Sequence, residues 1–159
     1  MQPVTLARED VIAVYLRLLE AWNARSAEAF SALFTANGSA VGFDGSQMNG
    51  RAEIAASLGA VFGHHATAAY VARLREVRTL APGTTLLRAV AGMVPPGTSE
   101  LKPERNAIQS LVAVADDGVA RIALFQNTPA RFDGRPELTE RLTAELTNVF
   151  RSGLVVDVG

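Results

Sequence analysis

Between Leu6 and Ala24 the apolar residues Val11, Tyr15, Leu18 and Trp22 recur at helical spacing and form one stripe. Ile12, Leu16 and Leu19 widen that stripe, so the predicted helix is buried over more than a narrow seam. Thr5 stands before it with a hydroxyl suited to accept an orphan backbone N–H as the N-cap. Asn23-Ala24-Arg25-Ser26 breaks the pattern, and Ser26 is placed to cap a second short helix. That helix carries Phe30, Leu33 and Phe34 and is expected to stop near Asn37-Gly38. Next come an extended piece at Ala40-Val41-Gly42-Phe43 and a turn at Asp44-Gly45. A third helix starts near Gly50, sets Ile54, Leu58, Val61 and Phe62 on one face, and ends around Gly63-His64-His65.

Beyond this point the period changes. Runs of strand-like composition occupy 67–80, 84–95, 105–115 and 119–128. Ala81-Pro82-Gly83 and Asp116-Asp117-Gly118 have the chemistry of tight turns joining antiparallel neighbours. Pro95-Pro96-Gly97 through Pro103 makes a longer polar connection. From Pro136 the helical period returns, with Leu138, Leu142, Leu146, Val149 and Phe150 in a stripe. The pattern predicts an α+β domain over 1–151 with a tail at 152–159.

The strands are apolar on both sides. In 105–115 one face carries Ala107, Gln109, Leu111 and Ala113, and the other Ile108, Ser110, Val112 and Val114. An antiparallel sheet normally wets one face. A sheet apolar on both sides needs cover on both, and the helices of one copy are expected to cover only one. The outer face is therefore expected to dock on a second copy, making a homodimer through the sheet. The plain alternative is that small alanines blur the alternation.

Composition narrows the chemistry. In 159 residues, 15 basic side chains balance 16 acidic ones, a net charge of −1 that argues against a nucleic-acid partner. The absence of cysteine excludes disulfides, thiolate metal sites and a Cys nucleophile. No apolar run reaches a membrane-spanning length, and Met1-Gln2-Pro3 does not read as an export signal, so the expected location is cytoplasmic with no membrane partner. There is no GxGxxG, Walker loop or GxSxG elbow, which disfavours nucleotide cofactors and Ser-hydrolase chemistry. His64-His65 is a poor chelate, because adjacent helical residues diverge by about 100°. Neither a metal nor a cofactor is expected.

The segment from Trp22-Asn23-Ala24-Arg25-Ser26 to Phe34 resembles the helix–turn–helix opening of SnoaL-like proteins in the nuclear-transport-factor-like superfamily. Phe43-Asp44-Gly45 and Gly50-Arg51-Ala52-Glu53-Ile54 resemble its next landmarks. Arg105-Asn106-Ala107-Ile108-Gln109-Ser110 and Phe125-Gln126-Asn127-Thr128-Pro129-Ala130-Arg131-Phe132 resemble a narrower branch, the SgcJ/EcaC group. The resemblance implies a cone-shaped barrel, a curved antiparallel sheet wrapped around three N-terminal helices with an additional C-terminal helix. It also implies a pocket between sheet and helices, and usually a homodimer. Relatives include ketosteroid isomerases, polyketide cyclases and pure binding modules, and some SgcJ/EcaC proteins are encoded beside enediyne polyketide synthases. The implied ligand is a hydrophobic polyketide or polyene intermediate of antibiotic biosynthesis, with a polyketide synthase as a possible partner. Two roles follow: cofactor-free proton transfer, cyclisation or dehydration, or non-catalytic binding.

Ketosteroid isomerase chemistry needs a general base and two oxyanion donors. The resemblance puts Leu18 and Gly42 at two of those places, and only Gln109 keeps a donor. Asp44 is the nearest carboxylate to the missing base, although with Gly45 it also suits a plain turn. His65 is a candidate acid or base at a pocket mouth. Asn106, Gln126 and Asn127 are candidate amide contacts to ligand oxygens, or members of a structural network. Arg88 is either a pocket cation or the cross-hairpin partner of Glu76. Tyr15, Trp22, Phe43 and Phe62 are a candidate aromatic wall for the ligand, or core.

Overall fold

The first helix, α1 (Arg8–Asn23), buries Val11, Tyr15, Leu18 and Leu19 of the predicted stripe together with Val14, and leaves Ile12, Leu16 and Trp22 half-buried. A computed structural model describes residues 5–159, so the Met1-Gln2-Pro3 reading lies outside the described residues. Thr5 is not the cap: the N-cap position falls on Ala7, with no side-chain bond, while Glu9 and Asp10 favour the positive first turn. Ser26 does cap α2 (Ala27–Ser31), accepting from the Ala29 N–H at 3.1 Å.

That second helix is shorter than its apolar pattern predicts. Phe34 opens β1 (Phe34–Val41) instead, because the Ile122 N–H reaches the Leu33 carbonyl at 2.8 Å and draws the chain into a ladder. A long-range pairing here outweighs local helical spacing. Next follow β2 (Gln47–Asn49), α3 (Arg51–His64), β3 (Ala69–Ala81), β4 (Thr84–Val94), a 3₁₀ turn at Pro103–Arg105, β5 (Ala107–Asp116), β6 (Val119–Pro129) and α4 (Pro136–Arg151). The stretch expected as a tail adds β7 (Val156–Asp157), which pairs parallel with β3. The order across the curved, unclosed sheet is β2-β1-β6-β5-β4-β3-β7. All pairs are antiparallel except β1–β6 and β3–β7. Asp117 and Gly118, both at positive φ, close the β5–β6 hairpin in two residues, as the right-handed twist of paired strands favours.

On the inner face Ala72, Ala89, Ala91, Ala107 and Ala113 are sealed beneath the helices. Their small side chains leave volume that α1 fills with Tyr15, Leu18 and Leu19, none of them exposed, so much of the cone is packed with side chains. The outer face is apolar for a reason the sequence pattern did not reveal. There α4 lays Leu142, Leu146 and Val149 over Val71, Val90 and Val94 in a second core cluster. One copy therefore covers part of both faces with its own helices. Arg75 fastens α4 by donating to both oxygens of Glu145, at 2.6 and 2.7 Å, with Arg73 a further 3.5 Å contact. Arg73 and Arg75 thus clamp α4, whereas Arg78 on the same strand is largely solvated.

Candidate functional site

Gln109 stands on the inner face of β5, directly opposite Asn127 of β6 and beneath Tyr15 of α1. The Tyr15 hydroxyl donates to Gln109 Oε1 at 2.5 Å, Gln109 Nε2 donates to Asn127 Oδ1 at 2.9 Å, and Asn127 Nδ2 donates to the Val41 carbonyl at 3.3 Å. Tyr15 and Gln109 are fully buried, and Asn127 is 8% exposed. In low-dielectric surroundings such a line holds together because each member has a partner. Burial pushes the Tyr15 phenol well above its ordinary value of 10, so it stays a donor at neutral pH.

This line leads to one end of the sheet, where β1 and β6 finish and β3 and β5 begin. Three side chains form the rim there. Phe43 follows β1, and the Arg105 guanidinium sits 5.4 Å from its ring centroid. Tyr70, the second residue of β3, is 7% exposed, and burial pushes its phenol up to about 12, with the Arg105 charge partly opposing. Asn23 grips the Tyr70 backbone at both polar atoms. Trp22 donates from Nε1 to the Ala68 carbonyl at 2.9 Å and packs on Tyr70 and Phe62, with ring centroids 5.3 and 5.1 Å away. Arg25 bonds the Thr67 carbonyl at 3.1 Å. The Trp22-to-Ser26 segment is therefore a strap holding the start of β3 to the end of α1.

The Tyr70 hydroxyl makes no hydrogen bond among the described residues. It is also not one of the side-chain atoms sealed without a partner there, which are Glu76 Oε1 and Asn106 Oδ1. It therefore reaches solvent at the rim. Arg105 is free in the same sense: ion pairs among the described residues use Arg73, Arg75, Arg78, Arg88, Lys102, Arg121 and Arg131.

Tyr15, Trp22, Phe43, Phe62, Gln109 and Asn127 thus belong to the inner face or its rim. The other candidates lie elsewhere. Asp44 is exposed, and the Ser46 N–H donating to it at 2.9 Å is the first cause holding its carboxyl below the usual 3.8, the opposite of what a neutral-pH base requires. His65 is exposed just past α3. Gln126 neighbours Asn127 but points to the outer face opposite Ser110, because successive strand residues alternate. Arg88 is also outside, 3.6 Å from Glu76. Asn106 is buried under α4, donating to Thr143 Oγ1 at 2.9 Å. Sequence reasoning missed Tyr70 and Arg105. The available signal was Tyr70 sharing strand parity with the small inner residue Ala72, and Arg105 opening the Arg105-to-Ser110 motif.

Two grooves open outside the cone. One of about 370 Å³ runs along α4 by Pro103, Thr143 and Thr147, and one of about 260 Å³ lies between α4 and Val90, Ile108 and Phe132.

No family model and no curated protein matches this chain. Solved structures do. A domain of unknown function with a cystatin-like fold from Nostoc punctiforme is 22% identical, with a TM-score of 0.74 over 92% of this chain and 98% of that one. A ketosteroid isomerase-like protein from Erwinia carotovora atroseptica is 17% identical, with a TM-score of 0.61 over 77% and 95%. An uncharacterized protein with a cystatin-like fold from Caulobacter vibrioides is 25% identical, with a TM-score of 0.60 over 81% and 93%. The chain has the cystatin-like fold that nuclear-transport-factor-like and ketosteroid isomerase-like proteins share. Among the described residues no helix is long and apolar enough to cross a membrane.

Proposed function

We propose that this protein binds a small, largely apolar molecule bearing an oxygen acceptor, at the end of the cone where Tyr70 and Asn127 meet solvent. The supporting observation is the inward line Tyr15–Gln109–Asn127, polar side chains placed on the concave face and running toward an open rim beside Trp22 and Phe62. The groups there donate or polarise. No carboxylate or imidazole is among the buried residues described, and both phenols are held protonated by burial. That favours a binding module over an acid–base catalyst. The likeness of residues 105–110 and 125–132 to the SgcJ/EcaC group makes a polyketide or polyene intermediate our preferred ligand, and a polyketide synthase its source.

We place entry beside α3, which fully buries only Ile54 and Leu58 along its length. Trp22 is the only tryptophan and touches Phe62 of α3 and Tyr70, so its emission reports on this region. Titration with aromatic ketones and conjugated polyenes is expected to give saturable quenching matched by calorimetric heat. No saturable signal by either method up to millimolar ligand would remove the reading.

We also infer that a second copy docks on the half of the outer face that α4 leaves open. There Val112 and Leu124, opposite one another, remain half-buried beside Leu86. Light scattering at micromolar concentration is expected to give twice the 16.8 kDa chain mass, and a clean monomer would contradict it.

A further inference from the structure

We propose that the rim formed by Phe43, Tyr70 and Arg105 is an anion subsite, which holds the carboxylate of an organic ligand whose apolar body points into the cone. This rests on the small-molecule reading above and adds to it the class of ligand. Three observations carry it. Arg105 is a cation whose guanidinium carbon lies 5.4 Å from the centroid of the Phe43 ring, and none of its side-chain N–H groups donates to an acceptor among the described residues. It forms no ion pair among the described residues, although seven other cations do. Tyr70 presents a second donor from a ring that is nine-tenths buried, with its hydroxyl unmatched by any described acceptor. Because Asn23 and Trp22 hold the strand beneath it, that hydroxyl is presented from a fixed place.

Two donors, one of them charged, call for an acceptor with negative charge. A neutral ketone offers one oxygen and no charge to pair with Arg105, whereas a carboxylate offers two oxygens and a negative charge that engage both donors. Burial keeps the Tyr70 phenol protonated, so it donates across the neutral range. The nearby acidic group is Asp44, whose carboxyl feels the Arg105 charge. Asp44 Oδ1 accepts from the Ser46 N–H, the side chain is exposed, and no ion pair joins it to Arg105, so the Arg105 N–H groups stay available to a ligand.

The test compares 2-naphthoate with neutral 2-naphthamide by calorimetry on the full chain. Wild type is expected to prefer the carboxylate by about tenfold, as a charge-assisted pair would provide. Arg105→Gln is expected to erase the preference while leaving naphthamide affinity unchanged. Tyr70→Phe should weaken naphthoate by about threefold, the loss of one hydrogen bond. Arg8→Gln, an exposed change at the opposite end of α1 from the rim, should do neither. Equal binding of the two probes to wild type, or a preference that survives Arg105→Gln, would overturn the anion subsite while leaving the cone reading intact. Failure of both probes would overturn both. Arg105 is exposed, so its variant is expected to fold, and circular dichroism with thermal melting checks each protein.

Discussion

Asn23 and Tyr70 are joined as though the side-chain amide were one more residue of a strand. Asn23 Oδ1 accepts from the Tyr70 N–H at 2.8 Å, and its Nδ2 donates to the Tyr70 carbonyl at 3.1 Å. The end of α1 thereby fixes where β3 begins, and with it the placement of the Tyr70 ring. Asn23→Ala is expected to lower stability by about 1–3 kcal/mol, since both backbone groups lose a partner in a part-buried place. Asn23→Asp should do no better, because a carboxylate would face the Tyr70 carbonyl. Urea unfolding measures both. A loss under about 0.5 kcal/mol for the alanine variant would show that water replaces the clamp.

The contact between Tyr15 and Gln109 lends itself to a double-mutant cycle. Tyr15→Phe orphans Gln109 Oε1, and Gln109→Leu orphans both the Tyr15 hydroxyl and Asn127 Oδ1. Each single change is expected to cost about 1–3 kcal/mol. Combining them removes the donor and the acceptor together, so the double variant should lose less than the sum by about 1 kcal/mol or more. Strict additivity would mean that the two groups act independently.

Gly38 gives a sharper steric case. It lies in the irregular stretch of β1 between Phe34 and Ser39, and a Cβ there would sit 2.6 Å from the Ile122 carbonyl. Backbone cannot swing aside as a flexible side-chain tip does. Gly38→Ala is expected to cost about 1–3 kcal/mol by forcing β1 from β6. Gly42→Ala, whose nearest neighbour would be a side-chain oxygen at 3.4 Å, is the control and should stay near wild type in thermal melting.

Gly38 also shows which information the sequence carried openly. Read locally, Asn37-Gly38 is a helix stop; its actual requirement is a close approach to a strand more than 80 residues away in the chain. Stripes such as Val11-Tyr15-Leu18 and turns such as Asp117-Gly118 were legible because their determinants lie within a few residues. Phe34 was misplaced because its partner strand is remote. The strands' two apolar faces are plain in their alternation, but that the partial cover of the outer face is α4 of the same chain is a choice periodicity alone does not make. At the site, Gln109 stood out as an amide in an apolar run. Separating inward Asn127 from outward Gln126 required strand parity and register, and pairing Tyr70 with Arg105 required the topology that brings β3 and β5 to one rim.

The clamp on α4 makes a prediction about acid. The Arg75 guanidinium, bonded to both Glu145 oxygens, is the first cause holding that carboxyl below its ordinary 4.5, and Arg73 adds to the effect. A carboxyl whose folded value is depressed contributes stability that is fully present above its unfolded value. That contribution falls away as pH drops below about 4.5 and through the folded value. Wild type should therefore exceed Glu145→Gln in urea midpoint at pH 7, with the gap closing between pH 4.5 and the more acidic folded value. Because Arg75 is 42% exposed at its side chain, solvent screening keeps the gap modest, and raised salt should shrink it further. Hydrogen exchange is expected to place the loss in α4, whose apolar underside packs on Val71, Val90, Val94 and Leu101. A gap that stays constant from neutral to acid pH would assign the Glu145 effect to packing instead of charge.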